Sequence, residues 1–116
     1  MKIITEITQL QGESLTEVCF VTDYIQLGFS GALLACIAHP TVKTPRGEWQ
    51  FPATGARDEF CSLIGKEVSG VVVHEDKSIV LYFGDSTVIV PLDQENRRFG
   101  EAANFTPGFN QPIQVY

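Results

Sequence analysis

Leu10-Gln11-Gly12-Glu13-Ser14-Leu15-Thr16-Glu17-Val18 and Leu63-Ile64-Gly65-Lys66-Glu67-Val68-Ser69-Gly70-Val71 share the pattern Leu-x-Gly-x-x-aliphatic-x-x-Val. The correspondence continues downstream, where Asp23 falls on Asp76. After a slip of one residue in a turn, Ile25-Gln26-Leu27-Gly28-Phe29 falls on Ile79-Val80-Leu81-Tyr82-Phe83, Leu34 on Val88 and Cys36 on Val90. The shared positions have physical reasons to recur. Gly12 and Gly65 suit sharp turns with positive φ. Ile25, Leu27 and Phe29, like Ile79, Leu81 and Phe83, alternate with period two and so line one face of a strand.

Working outward, Ile3, Ile7 and Leu10 recur at helical spacing before Gly12, and Ala56, Phe60 and Leu63 do so before Gly65, with Glu6 aligned to Glu59. Three strands follow each glycine, at 15–22, 24–29 and 32–38 and again at 67–74, 78–83 and 86–91. Thr22-Asp23, Ser30-Gly31, Glu75-Asp76-Lys77 and Gly84-Asp85-Ser86 punctuate them, and turns this tight make neighbouring strands antiparallel. The pattern predicts a single α+β domain over residues 1–116, with two tandem αβββ repeats at about 1–38 and 54–92. The linker 39–53, with Pro40, Pro45, Gly47 and Pro52, reads as a loop. The tail 93–116 reads as irregular apart from an edge strand at Ile113-Gln114-Val115-Tyr116. The mostly antiparallel sheets either join or curl into a barrel.

Composition bounds the class. With 44% hydrophobic residues and eight Phe, 116 residues hold enough apolar material for a core. A net charge of −6 repels phosphates and anionic lipid, which argues against nucleic-acid and membrane partners. The first residues lack the apolar run of a signal peptide, and no stretch approaches the ~20 apolar residues that span a bilayer. Cys19, Cys36 and Cys61, odd in number and without CxxC spacing, fit reduced thiols. These features predict a cytoplasmic protein.

Candidate chemistry is sparse. Cys36 and His39 suggest a thiolate pair, but positions three apart on a strand face opposite ways, and Cys36 aligns with Val90. His74-Glu75-Asp76 offers metal-ligand types, yet consecutive residues rarely converge on one ion, and turn chemistry accounts for Asp76. No phosphate-cradling glycine motif is present. Arg97, Arg98, Phe99, Phe105 and Phe109 mix basic and aromatic character too weakly for a single-strand binder. The reading therefore assigns no catalytic, cofactor or metal residue and predicts a non-enzyme. Ligand or interface residues are Trp49, His39, His74, Asp76, Val80 and Tyr82. Trp49 is an anchor for the linker or an interface residue. The face opposite Ile79 carries Val80 and Tyr82 where the first copy has Gln26 and Gly28, so linker, tail or another subunit should cover it.

The phrase from Leu63 to Val71, followed by Ile79-Val80-Leu81-Tyr82-Phe83-Gly84-Asp85-Ser86, resembles small bacterial proteins of uncharacterised function that carry an LxGxxVxxV…LxLxF pattern. Glu101-Ala102-Ala103-Asn104-Phe105 is similar to a Pro-Glu-Ala-x-x-Phe ending in such sequences, with Gly100 in place of the proline. Some of these are similar to immunity proteins of bacterial toxin systems, which implies protein binding and no catalytic residue. The expected function is a non-catalytic binding module with a protein partner or a second copy. Two further readings are an immunity-type inhibitor of a basic toxin domain, and a small-molecule binder or small enzyme using a cleft between the repeats lined by His39, Trp49, His74 and Asp76.

Overall fold

The computed structural model describes residues 4–97, 100–108 and 112–116. After a 3-10 turn at Ile7–Leu10 come β1 (Leu15–Val21), β2 (Tyr24–Phe29), β3 (Ala32–Cys36), β4 (Thr41–Thr44) and β5 (Gly47–Gln50). Helix α1 (Ala56–Cys61) leads to β6 (Gly70–His74), β7 (Ser78–Phe83) and β8 (Ser86–Pro91), then to a second 3-10 turn, β9 (Ala103–Thr106) and β10 (Gln114–Val115). The six strands expected around the glycines form within a few residues of their predicted bounds. The two turns differ by one residue: Val21 pairs directly with Tyr24, whereas the later turn places His74 opposite Ser78. Asp76 takes up the extra residue at φ 61°, a left-handed conformation that Asp tolerates.

Two five-stranded antiparallel sheets result, ordered β1-β2-β3-β9-β10 and β5-β4-β8-β7-β6. Each retains two edges, so the barrel is not formed. Helical structure is confined to short pieces, α1 having six residues, and the fold is sheet-rich rather than the expected α+β. The linker is not a loop. Thr41–Thr44 and Gly47–Gln50 form a hairpin that extends the second sheet beside β8, and β9 with β10 extends the first sheet beside β3. Pro40 and Pro52 flank this hairpin and Pro45 sits in its turn, so none occupies a strand position where a ladder N–H would be lost.

Each sheet thus takes three strands from one part of the chain and two from the other. Alternate residues of both sheets meet in one buried cluster, including Leu15, Ile25, Leu27, Leu34 and Phe105 from the first and Val42, Ile79, Leu81, Val88 and Val90 from the second. Of the apolar stripes preceding the glycines, Ile7, Leu10, Ala56, Phe60 and Leu63 are buried there, and Ile3 lies outside the described residues. The 3-10 turn packs on β6, and α1 packs on β1, β4 and β5. The two glycine segments pair with each other around Ser14 and Glu67. Gly12 N donates to Val68 O at 2.8 Å, and Gly65 N donates to Leu15 O at 2.8 Å. Leu15 N donates to Lys66 O at 3.0 Å, and Val68 N to Glu13 O at 2.8 Å. Exchanging the aligned partners converts each bond into the other of its pair. Gly12 and Gly65 have φ of 90° and 92°, as the tight turns into this junction require.

Candidate functional site

The six residues singled out from sequence divide into two groups. Trp49 and His39 belong to the β4–β5 region. Trp49 sits opposite Val42 in the row Val71, Leu81, Val88, Val42, Trp49, which is the core-facing side of the second sheet. Its indole lies across two glycines, where a Cβ on Gly55 would stand 3.0 Å from Nε1 and one on Gly47 3.3 Å from Cη2. His39 donates from Nε2 to Asp23 O at 3.1 Å and meets the Phe51 ring edge-on at 5.7 Å. Phe51 in turn stacks on Phe20 with centroids 6.1 Å apart, and the Arg57 guanidinium lies 5.0 Å and 5.7 Å from the two ring centroids. This aromatic cluster closes the junction between the first sheet's edge and α1.

His74, Asp76, Val80 and Tyr82 are brought together on the β6–β7 hairpin. Trp49 on β5 and His74 on β6 occupy opposite edges of the five-stranded sheet, roughly 19 Å apart at ordinary strand spacing. The cleft that would combine His39, Trp49, His74 and Asp76 is not formed. Cys36 and His39 do not act as a pair either: Cys36 is fully buried between Ile25 and Ala103, and burial pushes its thiol up to about 12. Among the described residues no three His, Cys, Asp or Glu side chains gather as a metal site. Arg98, Phe99 and Phe109 lie outside the described residues.

The outer face of the second sheet carries exposed apolar side chains. Pairing aligns Val72, Val80, Ile89 and Thr41 in one row and Gly70, Tyr82, Thr87 and Lys43 in the next. Tyr82 leans across Gly70, whose added Cβ would meet Tyr82 Cδ2 at 3.6 Å. Val80 is 8% exposed under its neighbours, while Val72 and Tyr82 keep 38% and 39%. The expected intramolecular cover is absent among the described residues. Linker and tail strands hydrogen-bond to sheet edges instead of lying across a face, since that satisfies their own N–H and C=O groups. The first sheet's matching rows carry Cys19, Gln26, Ala35 and Asn104, with Glu17 lying over Gly28.

Near the turn of the β6–β7 hairpin, on the side of β6 opposite Val72, lies a groove of about 450 Å³ lined by Val73, Glu75, Asp76, Leu92, Arg97, Val115 and Tyr116. Arg97 Nε donates to Leu92 O at 2.8 Å, and its guanidinium approaches Asp76 Oδ1 at 3.7 Å. Partial burial, with Glu6 nearby, pushes the Tyr116 hydroxyl above its ordinary range. Sequence reading missed this groove, because Val115 and Tyr116 reach it only through the tail's return to the first sheet, and Arg97 is placed there by its bond to Leu92 O. The exposed acids of the β6–β7 turn were its one legible part. No helix of the described residues is long and apolar enough to cross a membrane. No family model, no curated protein and no solved structure matches the chain.

Proposed function

We propose that this chain is a duplicated β unit serving as a non-catalytic binding module, with a basic protein as its partner over the outer face of the second sheet. The observation that carries the reading is the exposed pair Val72 and Tyr82, beside the half-buried Ile89, on the outer face of the second sheet. A sheet face of this composition is stable in water only at some cost, and exposed apolar patches rimmed by polar residues commonly mark interfaces. Tyr82 is the type of rigid, amphipathic side chain that anchors such contacts. The duplication is supported by the reciprocal hydrogen bonds between the glycine segments and by the matching strand registers.

Charge sets the partner's sign. At −6 the chain's net charge favours a cationic protein over a second copy of itself as the partner. An inhibitor of a basic toxin domain, covering that domain's working surface, is the specific version that the resemblance suggests. A small-molecule site between the two halves draws no support from the placement of His39, Trp49, His74 and Asp76.

Affinity capture from the source cell's lysate, with the native chain and a Val72→Glu/Tyr82→Glu variant in parallel, tests the reading. The expected result is a stoichiometric basic protein retained at low salt, released by moderate salt, and absent from the variant's capture. Equal capture by both chains, or capture of nothing but the chain itself, would overturn it.

A further inference from the structure

The two halves of the molecule differ sharply at one equivalent place. Phe20 on β1 pairs with Ile25, and Val73 on β6 pairs with Ile79, so Val73 stands where Phe20 does in the other half. Phe51 N donates to Pro40 O at 3.0 Å just beyond β5, and Tyr116 N donates to Ala103 O at 2.8 Å just beyond β10. Tyr116 therefore corresponds to Phe51. Where Phe20 fills the first locus by stacking on Phe51 beneath the Arg57 guanidinium, the second has an aromatic ring, a guanidinium from Arg97 and only Val73 between. Val73 remains 36% exposed there. The space that a phenyl group occupies in one half is open groove in the other.

We propose that this groove receives an aromatic side chain of the protein partner, flanked in the partner's sequence by basic residues. The proposal rests on the protein-binding reading above and names its anchor. Val73 and Leu92 supply an apolar wall, Tyr116 a ring to stack on, and Arg97 a cation beside the entering π-face. The rim selects for charge. Arg97 is already engaged by Leu92 O and Asp76, which leaves the Glu75 carboxylate as the rim's surplus charge for a lysine or arginine next to the aromatic residue. Val73 lies between Val72 and His74 on the edge strand β6, so a partner segment on the outer face reaches the groove by turning over that edge.

The test uses the whole chain and three synthetic peptides, acetyl-Lys-Phe-Lys-amide, acetyl-Lys-Ala-Lys-amide and acetyl-Glu-Phe-Glu-amide, followed by amide chemical shifts in NMR titrations. The Lys-Phe-Lys peptide should move the amides of Val73 to Asp76, Leu92 and Tyr116, and bind at least tenfold more tightly than the other two. Val73→Phe, which fills the groove as Phe20 fills its counterpart, should abolish those shifts and raise the melting temperature. Glu75→Gln with Asp76→Asn keeps the left-handed turn and should weaken binding severalfold even if Val73→Phe folds poorly. Equal binding of the alanine peptide, shifts centred elsewhere, or undiminished binding by either variant would overturn the proposal. If Val73→Phe leaves lysate capture intact while Val72→Glu/Tyr82→Glu abolishes it, the groove fails and the binding face stands. Peptide binding with no captured protein would sink the partner and leave the groove.

Discussion

Cys36 shows how position overrides residue type. In sequence it is a thiol near a histidine; in the fold it is a small apolar group at the centre of the first sheet, as buried as Val90, with which the sequence aligns it. Desolvation that lifts its pKa to about 12 removes thiolate at neutral pH, and the thiolate is the reactive form. Cys19 and Cys61 are exposed. Ellman's reagent should therefore titrate two thiols in the native chain at pH 7 and the third only on unfolding; three fast thiols would contradict the buried assignment. The paired glycines make a second contrast. A Cβ at Gly28 would lie 2.3 Å from Glu17 Cγ, whereas one at Gly70 meets Tyr82 at an ordinary 3.6 Å. Gly28→Ala should displace the Glu17 side chain and cost about 1 kcal/mol, while Gly70→Ala should be neutral or gain about 0.5 kcal/mol, as measured by urea unfolding.

At the scale of elements, the β4–β5 hairpin is tied to α1 by one carboxylate. Glu59, 8% exposed, accepts from Arg46 Nη2 at 2.6 Å, from Arg46 Nε at 2.9 Å and from Thr44 Oγ1 at 2.9 Å. The bonds from Arg46, above all, hold its carboxyl below the ordinary value of 4.5 against the opposing effect of burial. A carboxyl depressed in the folded state adds stability above its unfolded pKa and loses it as pH falls through the folded value. Melting temperature should accordingly fall as pH drops below about 4.5, and Glu59→Gln should lower it at neutral pH and flatten the acid side of the profile. An unchanged profile in the variant would show that the hairpin does not depend on this charge. The same hairpin marks the limit of sequence reading. The meanders at β1–β3 and β6–β8 were legible because alternating Ile, Leu and Phe announce a buried face. Thr41–Thr44 and Ala103–Thr106 each present a single large inward residue, Val42 or Phe105, which is too short a pattern to reveal a strand. Their pairing is non-local, fixed by the exposed edges of β8 and β3 rather than by their own composition.

Across the whole molecule, that exchange of hairpins interlocks the two halves. Neither three-stranded meander can complete its sheet without strands from the other half, and the glycine segments bond reciprocally across the junction. Cutting a protease site inserted at Ala53, in the exposed connection before α1, should leave the two fragments co-migrating on native size exclusion and separable only in denaturant. Fragments that part in native buffer would show that the shared sheets do not hold them. The candidate site was legible to the extent that Val80, Tyr82, His74 and Asp76 lie together on one hairpin. The groove was not, because Val73 has meaning only once Phe20 is known to fill the equivalent space and Tyr116 to line it.

If the outer face around Val72 and Tyr82 receives a different molecule, it stays open in the free chain. Sedimentation velocity across a wide range of concentration tests this most directly. The expected result is a monomer throughout, unchanged by Tyr82→Glu. A dimer that strengthens with concentration and dissolves in that variant would show the face closed by a second copy and contradict it.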